Sequence, residues 1–315
     1  MKATSSTLII GVIVILAGCA VPAPSAPDAA PQPEAARVAS PTAAAATEVL
    51  VNTEWLAAHL DDANVRIIDV SGKPEVYQEG HIPGAVYVNW QTDLTDPDNP
   101  VRGQIPTQAQ VEALLGRLGV TPETTLILYD DTNSLFAARA FWVFKYYGHE
   151  DVRILDGGRK KWTAEGRDLT ADVPEISPTT YQVTTTHPEI RATLKDVQQA
   201  LGKSEVILID ARNPKEYVGQ DVRAARGGHI PRAVNLEWAT AVNADGTFKS
   251  VDELRKLYQA VGATPDKQVY TYCQTGVRAA HTWFVLTYLL GYDHVANYDG
   301  SWEEWGNQTD VPVEQ

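Results

Sequence analysis

Val269-Tyr270-Thr271-Tyr272-Cys273-Gln274-Thr275-Gly276-Val277-Arg278, running on as AAHTWFVLTYLLG to Gly291, is the stretch that decides the fold. Its first four residues are β-branched or aromatic and predict a short buried strand. From Val277 apolar positions recur at helical spacing (Ala280, Phe284, Val285, Tyr288, Leu289), and Gly291 supplies a C-terminal stop. Between strand and helix lies a compact loop, Cys273 to Arg278. A cysteine at a strand tip, facing the start of a helix, sits among backbone N–H groups without intrahelical partners. Those groups and the helix dipole favour negative charge. The same field stabilises a thiolate, and such placements lower a thiol pKa from ~8.5 to roughly 3.5–7.5. Arg278 adds a permanent cation, so the loop suits a thiolate and an anion together. A lone cysteine is most often a small buried hydrophobe, but packing a core cysteine gives no reason for Gly276 and Arg278.

This strand–loop–helix unit occurs twice. Val65 to Val70, Thr125 to Tyr129 and Val152 to Leu155 read as strands, with helices near Thr53, from Thr107 to Leu118 and from Leu135 to Tyr147. The order returns with helices 194–201, 251–261 and 277–290 and strands 206–210, 269–272 and 295–298. Matched features lie roughly 140 to 150 residues apart, which marks a duplicated domain rather than a solenoid. Strands alternating with helices imply an α/β fold of two tandem domains, each a parallel sheet with helices on both faces. Ligands of such sheets bind off the carboxyl ends of the strands, where Cys273 falls. The domains are expected over 48–170 and 189–315, with the proline-containing stretch 171–188 as linker.

The formal net charge of -14, from 40 acidic and 26 basic residues, leaves no basic stripe and argues against nucleic acid as a partner. Only Cys19 and Cys273 are present, so neither a disulfide framework nor a CxxC metal site is available, and no metal is expected. Lys2 precedes an apolar run from Leu8 to Ala17, the length of a signal-peptide core. It closes on Leu16-Ala17-Gly18-Cys19, which resembles the lipobox of bacterial lipoproteins. That implies a signal peptide over 1–19, lipidation of Cys19, a membrane anchor and a cell-envelope location. Residues 20–47 are rich in Ala and Pro and read as a semi-extended tether.

With these motifs in place, residues 48–315 resemble the tandem-domain rhodaneses, the thiosulfate and 3-mercaptopyruvate sulfurtransferases. Tyr77-(x3)-His81-Ile82-Pro83-Gly84-Ala85 resembles their N-terminal signature and Tyr298-Asp299-Gly300-Ser301-Trp302 their C-terminal one. The resemblance implies that Cys273 is the nucleophile that carries a persulfide, cradled by Gln274, Thr275, Gly276, Val277 and Arg278. It implies Arg212 as the arginine for the substrate anion, its planar fork suited to two oxygens; a surface ion pair with Glu216 is the plainer reading. No cofactor is implied, the partners are a small sulfur donor and a thiophilic acceptor, and a monomer is expected. In the first half Tyr129-Asp130 stands where the second has Tyr272-Cys273, so that half is read as catalytically silent. Its loop to Trp142 counts two residues longer than that from Cys273 to Trp283. His81 and His229 read as turn-stabilising groups and His281 as packing. Arg232 replaces the glycine expected after His-Ile-Pro, without a functional account.

The donor stays open. The loop Cys-Gln-Thr-Gly matches neither the Cys-Arg-Lys-Gly of animal thiosulfate enzymes nor the Cys-Gly-Ser-Gly of mercaptopyruvate enzymes, and the late arginine leans towards thiosulfate. The rivals are a mercaptopyruvate sulfurtransferase, a phosphatase or arsenate reductase with a longer loop, and a non-catalytic protein that binds or delivers sulfur.

Overall fold

Short β-branched runs fold into two parallel sheets of five strands each, and the helices between them cover the sheet faces. The computed structural model describes residues 49–315; the expected signal peptide, Cys19 and the tether over 20–47 lie outside the described residues. The first half runs β1 (Leu50–Val51), α1 (Thr53–Ala58), β2 (Val65–Asp69), α2 (Pro74–Glu79), β3 (Val86–Tyr87), α3 (Gln108–Arg117), β4 (Thr125–Tyr129), α4 (Leu135–Tyr146), β5 (Val152–Leu155) and α5 (Gly158–Ala164). The second runs β6 (Arg191–Ala192), α6 (Leu194–Ala200), β7 (Val206–Asp210), α7 (Pro214–Tyr217), β8 (Val234–Asn235), α8 (Val251–Ala260), β9 (Gln268–Tyr272), α9 (Val277–Phe284), β10 (Val295–Tyr298) and α10 (Ser301–Trp305).

Strand order is β1-β5-β4-β2-β3 in one sheet and β6-β10-β9-β7-β8 in the other, the same winding twice. Register repeats too: Asp69 pairs with Tyr129 and Asp210 with Tyr272. The helix starts follow from their caps. Thr107 with Gln110, Thr193 with Asp196 and Ser250 with Glu253 form reciprocal capping boxes that satisfy otherwise orphaned N–H groups. The helix expected to reach Leu290 is α-helical only to Phe284 and continues as a single π turn, Val285–Leu289. The stretch 171–187 forms no helix or strand, yet it is docked along the first half. Thr179 N donates to Gly116 O (2.9 Å), Tyr181 Oη pairs with His149 Nδ1 (2.9 Å) and His187 N donates to Tyr146 O (2.8 Å).

The halves share one hydrophobic cluster. Phe141 of α4 meets Phe284 of α9 and Tyr288 edge-on, each with ring centroids 4.9 Å apart. They also exchange loops. The β3–α3 loop of the first half donates Ile105 N to Asp299 Oδ2 (2.7 Å), just past β10. Reciprocally, the β8–α8 loop donates Phe248 N to Asp156 Oδ1 (2.9 Å), just past β5. Each half therefore closes over the strand tips of the other. Trp142 is not the counterpart of Trp283, contrary to the spacing expected from sequence. Ser134 and Gly276 are the left-handed N-caps of α4 and α9, so the loop from Asp130 is longer by one residue rather than two.

Candidate active site

Cys273 is the first residue beyond β9, at the carboxyl edge of the second sheet, and it is the one free cysteine among the described residues. It is 1% exposed and packs with Ala211, Ala279 and Trp238. Its N–H donates to Ser301 Oγ (3.1 Å), its carbonyl accepts Trp302 N (3.0 Å), and Gln274 O accepts Glu303 N (2.8 Å). The start of α10 thus braces the loop from behind. Gly276 has a φ of 75°, the left-handed region. A Cβ there would lie 3.0 Å from Asp299 O and Oδ1 and 3.1 Å from Arg139 Nη1, so the position requires glycine on both counts. Among the described residues, the backbone N–H groups of residues 274 to 279 donate to no protein acceptor, leaving a run of open donors around the thiol.

The first half displays what such a run of donors holds. Asp130 stands where Cys273 does, and its Oδ1 accepts Thr132 N (2.7 Å) and Ser134 N (3.0 Å) while Oδ2 accepts Phe136 N (2.7 Å) and Ala137 N (2.9 Å). The loop there is an anion nest filled by the chain's own carboxylate. Burial nevertheless pushes Asp130 up to about 6, the N–H bonds opposing the shift.

Arg278, the second residue of α9, turns both terminal nitrogens onto Glu216 of α7 (Nη1 to Oε2 2.6 Å, Nη2 to Oε1 2.9 Å). The Glu216 side chain is wholly buried, and Arg223 Nη1 approaches it to 3.6 Å. Burial opposes the Arg278 charge, but the Glu216 hydrogen bonds and the nearby Cys273 and Glu216 charges raise its pKa above the ordinary value. For Glu216, burial acts upward, and the Arg278 bonds and charge outweigh it, so the carboxyl is held below its usual range. The loop cation is therefore real but already paired.

Arg212 is largely engaged within the protein. It is neither a free fork nor a surface partner of Glu216. At 1% exposure it bonds Asp210 through Nε (2.9 and 3.0 Å) and Nη2 (2.6 Å), gives Nη2 also to Gly228 O (2.7 Å), and lies over the Trp302 ring at 4.4 Å. Only Nη1 is left without a protein acceptor, so a two-oxygen grip on a substrate is unavailable. The first half supplies the same cation from elsewhere in the chain. Arg159 of α5 donates to Gly80 O, the counterpart of Gly228, and its charge acts on Asp69, the counterpart of Asp210. The cation is thus common to both halves, with and without a cysteine.

His81 and His229 sit as expected in turns. Their Nδ1 atoms pair with Tyr77 O (2.9 Å) and Tyr217 O (3.0 Å), and each ring stacks on that tyrosine. His281 is fully buried against Phe248 and Trp238, and burial pushes it down to about 3, so it packs as a neutral ring. Arg232 holds a left-handed φ of 64° where the first half has Gly84 at 79°, with its N–H on Glu314 Oε2 (2.9 Å).

Arg102, Arg223 and Glu303, and the pairing of Glu216 with Arg278, escaped sequence reasoning. Glu216 stands just before an insertion and Arg223 within it: eleven residues separate Tyr217 from His229, against three between Tyr77 and His81. That difference was the available signal. Gln274 bridges Arg223 O and Glu303 Oε2 (3.2 Å each), and Glu303 pairs with Arg102 of the first half through two bonds of 2.9 Å. Gly103 beside it lies so close to Thr275 that a Cβ would fall 2.7 Å from Thr275 Cβ. Nothing in local sequence announces these long-range contacts.

Comparison with known proteins gives two matches to the Rhodanese-like domain, over residues 52–165 and 193–308. The "Sulfur carrier protein TtuD" of Thermus thermophilus is 48% identical over 277 residues, covering 84% of this chain and 96% of that protein. A Saccharopolyspora erythraea protein named "Putative thiosulfate sulfurtransferase" is 42% identical, covering 85% and 96%. Among solved structures, the anaerobic ergothioneine biosynthesis enzyme from Chlorobium limicola, in complex with trimethyl histidine, superposes with a TM-score of 0.76 at 26% identity, covering 85% of this chain and 70% of that one.

Proposed function

The chain belongs to the tandem-domain rhodanese family, and we propose that it is a sulfurtransferase that carries sulfur as a persulfide on Cys273. The observation that carries this reading is the contrast between the two strand tips. One holds an internal carboxylate on four N–H groups, and the other offers a cysteine beside open N–H groups and an arginine. The first has no nucleophile, and the second is equipped for one.

The donor we propose is thiosulfate. The Cys273 thiolate attacks the outer sulfur, forming a new S–S bond, and the bond to the sulfonate sulfur breaks, its electron pair leaving with sulfite. The acceptor, cyanide or a thiolate, then attacks the outer sulfur of the persulfide and returns Cys273 as thiolate. Sulfite is a good leaving group, so little acid–base help is needed. The open N–H groups of residues 274 to 279 would carry the negative charge of the bound sulfur, with Arg278 and the free Nη1 of Arg212 as supporting cations. Gln274, Thr275 and Val277 form the loop walls.

A second reading is favoured by the name of the Thermus relative: a carrier that accepts sulfur once and hands it to a partner. Steady-state turnover with thiosulfate and cyanide separates the two, a stoichiometric burst without further rate indicating the carrier. Comparing kcat/KM for thiosulfate and 3-mercaptopyruvate tests the donor. Lipidation of Cys19, anchoring a monomeric protein at the cell envelope, belongs to the same proposal and is tested by the mass of the mature N-terminus.

A further inference from the structure

The cysteine-free half touches the nucleophile loop at Thr275 and Gly276 and reaches Gln274 through Glu303. Arg102 holds Glu303, which in turn bonds Gln274; Gly103 packs on Thr275; and Arg139 lies against Gly276. The last of these contacts is the most deeply buried. Arg139 of α4 is 0% exposed, donates Nη1 to Asp299 Oδ1 (2.7 Å), and donates Nη2 to Gly103 O (2.7 Å). Asp299 is buried as well; its other oxygen accepts Ile105 N (2.7 Å), and Arg191 Nε stands at ion-pair distance from it (3.3 Å). One guanidinium thus joins the β3–α3 loop of the first half, the aspartate after β10 and the glycine of the Cys273 loop.

The internal repeat supplies a control. Counted from the caps Ser134 and Gly276, the counterpart of Arg139 is His281, and the counterpart of Asp299 is Asp156. There the fold makes the same loop exchange, Phe248 N on Asp156, without any buried ion pair. His281 is neutral, and Asp156, lacking an arginine, is pushed up to about 6, chiefly by burial. The architecture therefore closes without an arginine at this position. The arginine occurs where the loop behind it bears the cysteine.

We propose that Arg139, in the half without a nucleophile, is a positioning residue of the Cys273 loop, holding Gly276 and Asp299 so that the loop N–H groups stay open to the sulfur anion. The idea rests on the sulfur-transfer reading for its purpose but not for its test.

The test uses the full chain with Arg139→Lys, which keeps the charge and gives up the two-armed grip, and Asp299→Asn, which keeps an acceptor for Ile105 N and removes the ion pair. Asp156→Asn at the twin contact is the control. Alkylation of Cys273 by iodoacetamide is followed from pH 5 to 10, beside kcat and KM for thiosulfate. Arg278, whose charge interacts with that of Cys273, and its partner Glu216 are unchanged in all three. Expected for both site variants is a pH–alkylation profile displaced to higher pH, with kcat reduced at least tenfold and KM changed less than threefold. The Asp156→Asn profile should match the native one. Either site variant, folded by its melting transition, with a native alkylation profile and kcat within twofold would overturn the proposal. If both variants fail to fold while Asp156→Asn folds, the pair is a stability element and the proposal fails too. Were the native protein to form no persulfide with any donor, the sulfur-transfer reading would fall, while the alkylation profiles would still decide the role of Arg139.

Discussion

Asp130 and Cys273 stand at the same point of two repeated folds. Each is the first residue past the central strand, β4 or β9, whose final tyrosine pairs in register with the aspartate ending β2 or β7. Asp130 spends both oxygens on four backbone N–H groups. Truncating it leaves buried donors unpaired, each costing about 1–3 kcal/mol. Asp130→Ala is therefore expected to lose about 2–4 kcal/mol in urea unfolding, part of the deficit being recovered by water in the vacated nest. Sulfur transfer at Cys273 should stay within a few-fold of native, because among the described residues the Asp130 carboxylate bonds only Thr132, Ser134, Phe136 and Ala137 and neither Arg139 nor the Cys273 loop.

Asp156 gives a pH dependence of definite sign. Its folded value, about 6, lies above the ordinary 3.8, with burial the chief cause. Its contribution to stability is present in full below pH 3.8 and is lost as pH rises through about 6. Asp156→Asn retains an acceptor for Phe248 N and removes the titration. Relative to native, the variant should melt higher at pH 7.5 than at pH 4.5. An equal difference at both pH values would show that Asp156 does not titrate in this window.

Arg212 was read from sequence as a substrate ligand, and the structure makes a different prediction. Removing it strands Asp210, which is 0% exposed. Breaking a buried pair costs about 3–5 kcal/mol, a large part of a typical total stability of roughly 5–15 kcal/mol. Arg212→Ala should therefore appear first as a lowered urea midpoint. A natively stable Arg212→Ala with a raised thiosulfate KM would restore the substrate role.

Arg232 carries a strained backbone. A left-handed non-glycine residue costs roughly 1–2 kcal/mol, and its exposed side chain recovers only one bond, Nη1 to Gly202 O at 3.1 Å. Arg232→Gly should raise stability by about 1 kcal/mol in urea unfolding, the strain relief exceeding the greater entropy of glycine in the unfolded chain. Rates at Cys273 should be unchanged.

What was legible in the sequence was what is written locally. The strand before Cys273, the glycine that turns the loop, the caps at Thr107, Thr193 and Ser250, and the spacing of the two halves are all short-range patterns. They led to both sheets and to the nucleophile's edge. What escaped were contacts set by how the halves close on one another. Arg278 meets Glu216 across 62 positions of chain and Arg139 meets Asp299 across 160. The bonding of Arg212 was illegible for a related reason: an arginine after a strand can face the cleft or fold back on the aspartate two residues earlier, and Asp210-Ala211-Arg212 reads the same either way. The strands of two residues, β1, β3, β6 and β8, were missed because two residues carry no periodicity.

The central claim is that Cys273 accepts a sulfur atom, and its most direct test is an intact mass of the full-length protein after incubation with thiosulfate, before and after adding cyanide. The account predicts a gain of one sulfur atom that cyanide removes, absent in Cys273→Ser. A persistent lack of any gain with thiosulfate and with 3-mercaptopyruvate, or the same gain in Cys273→Ser, would contradict it.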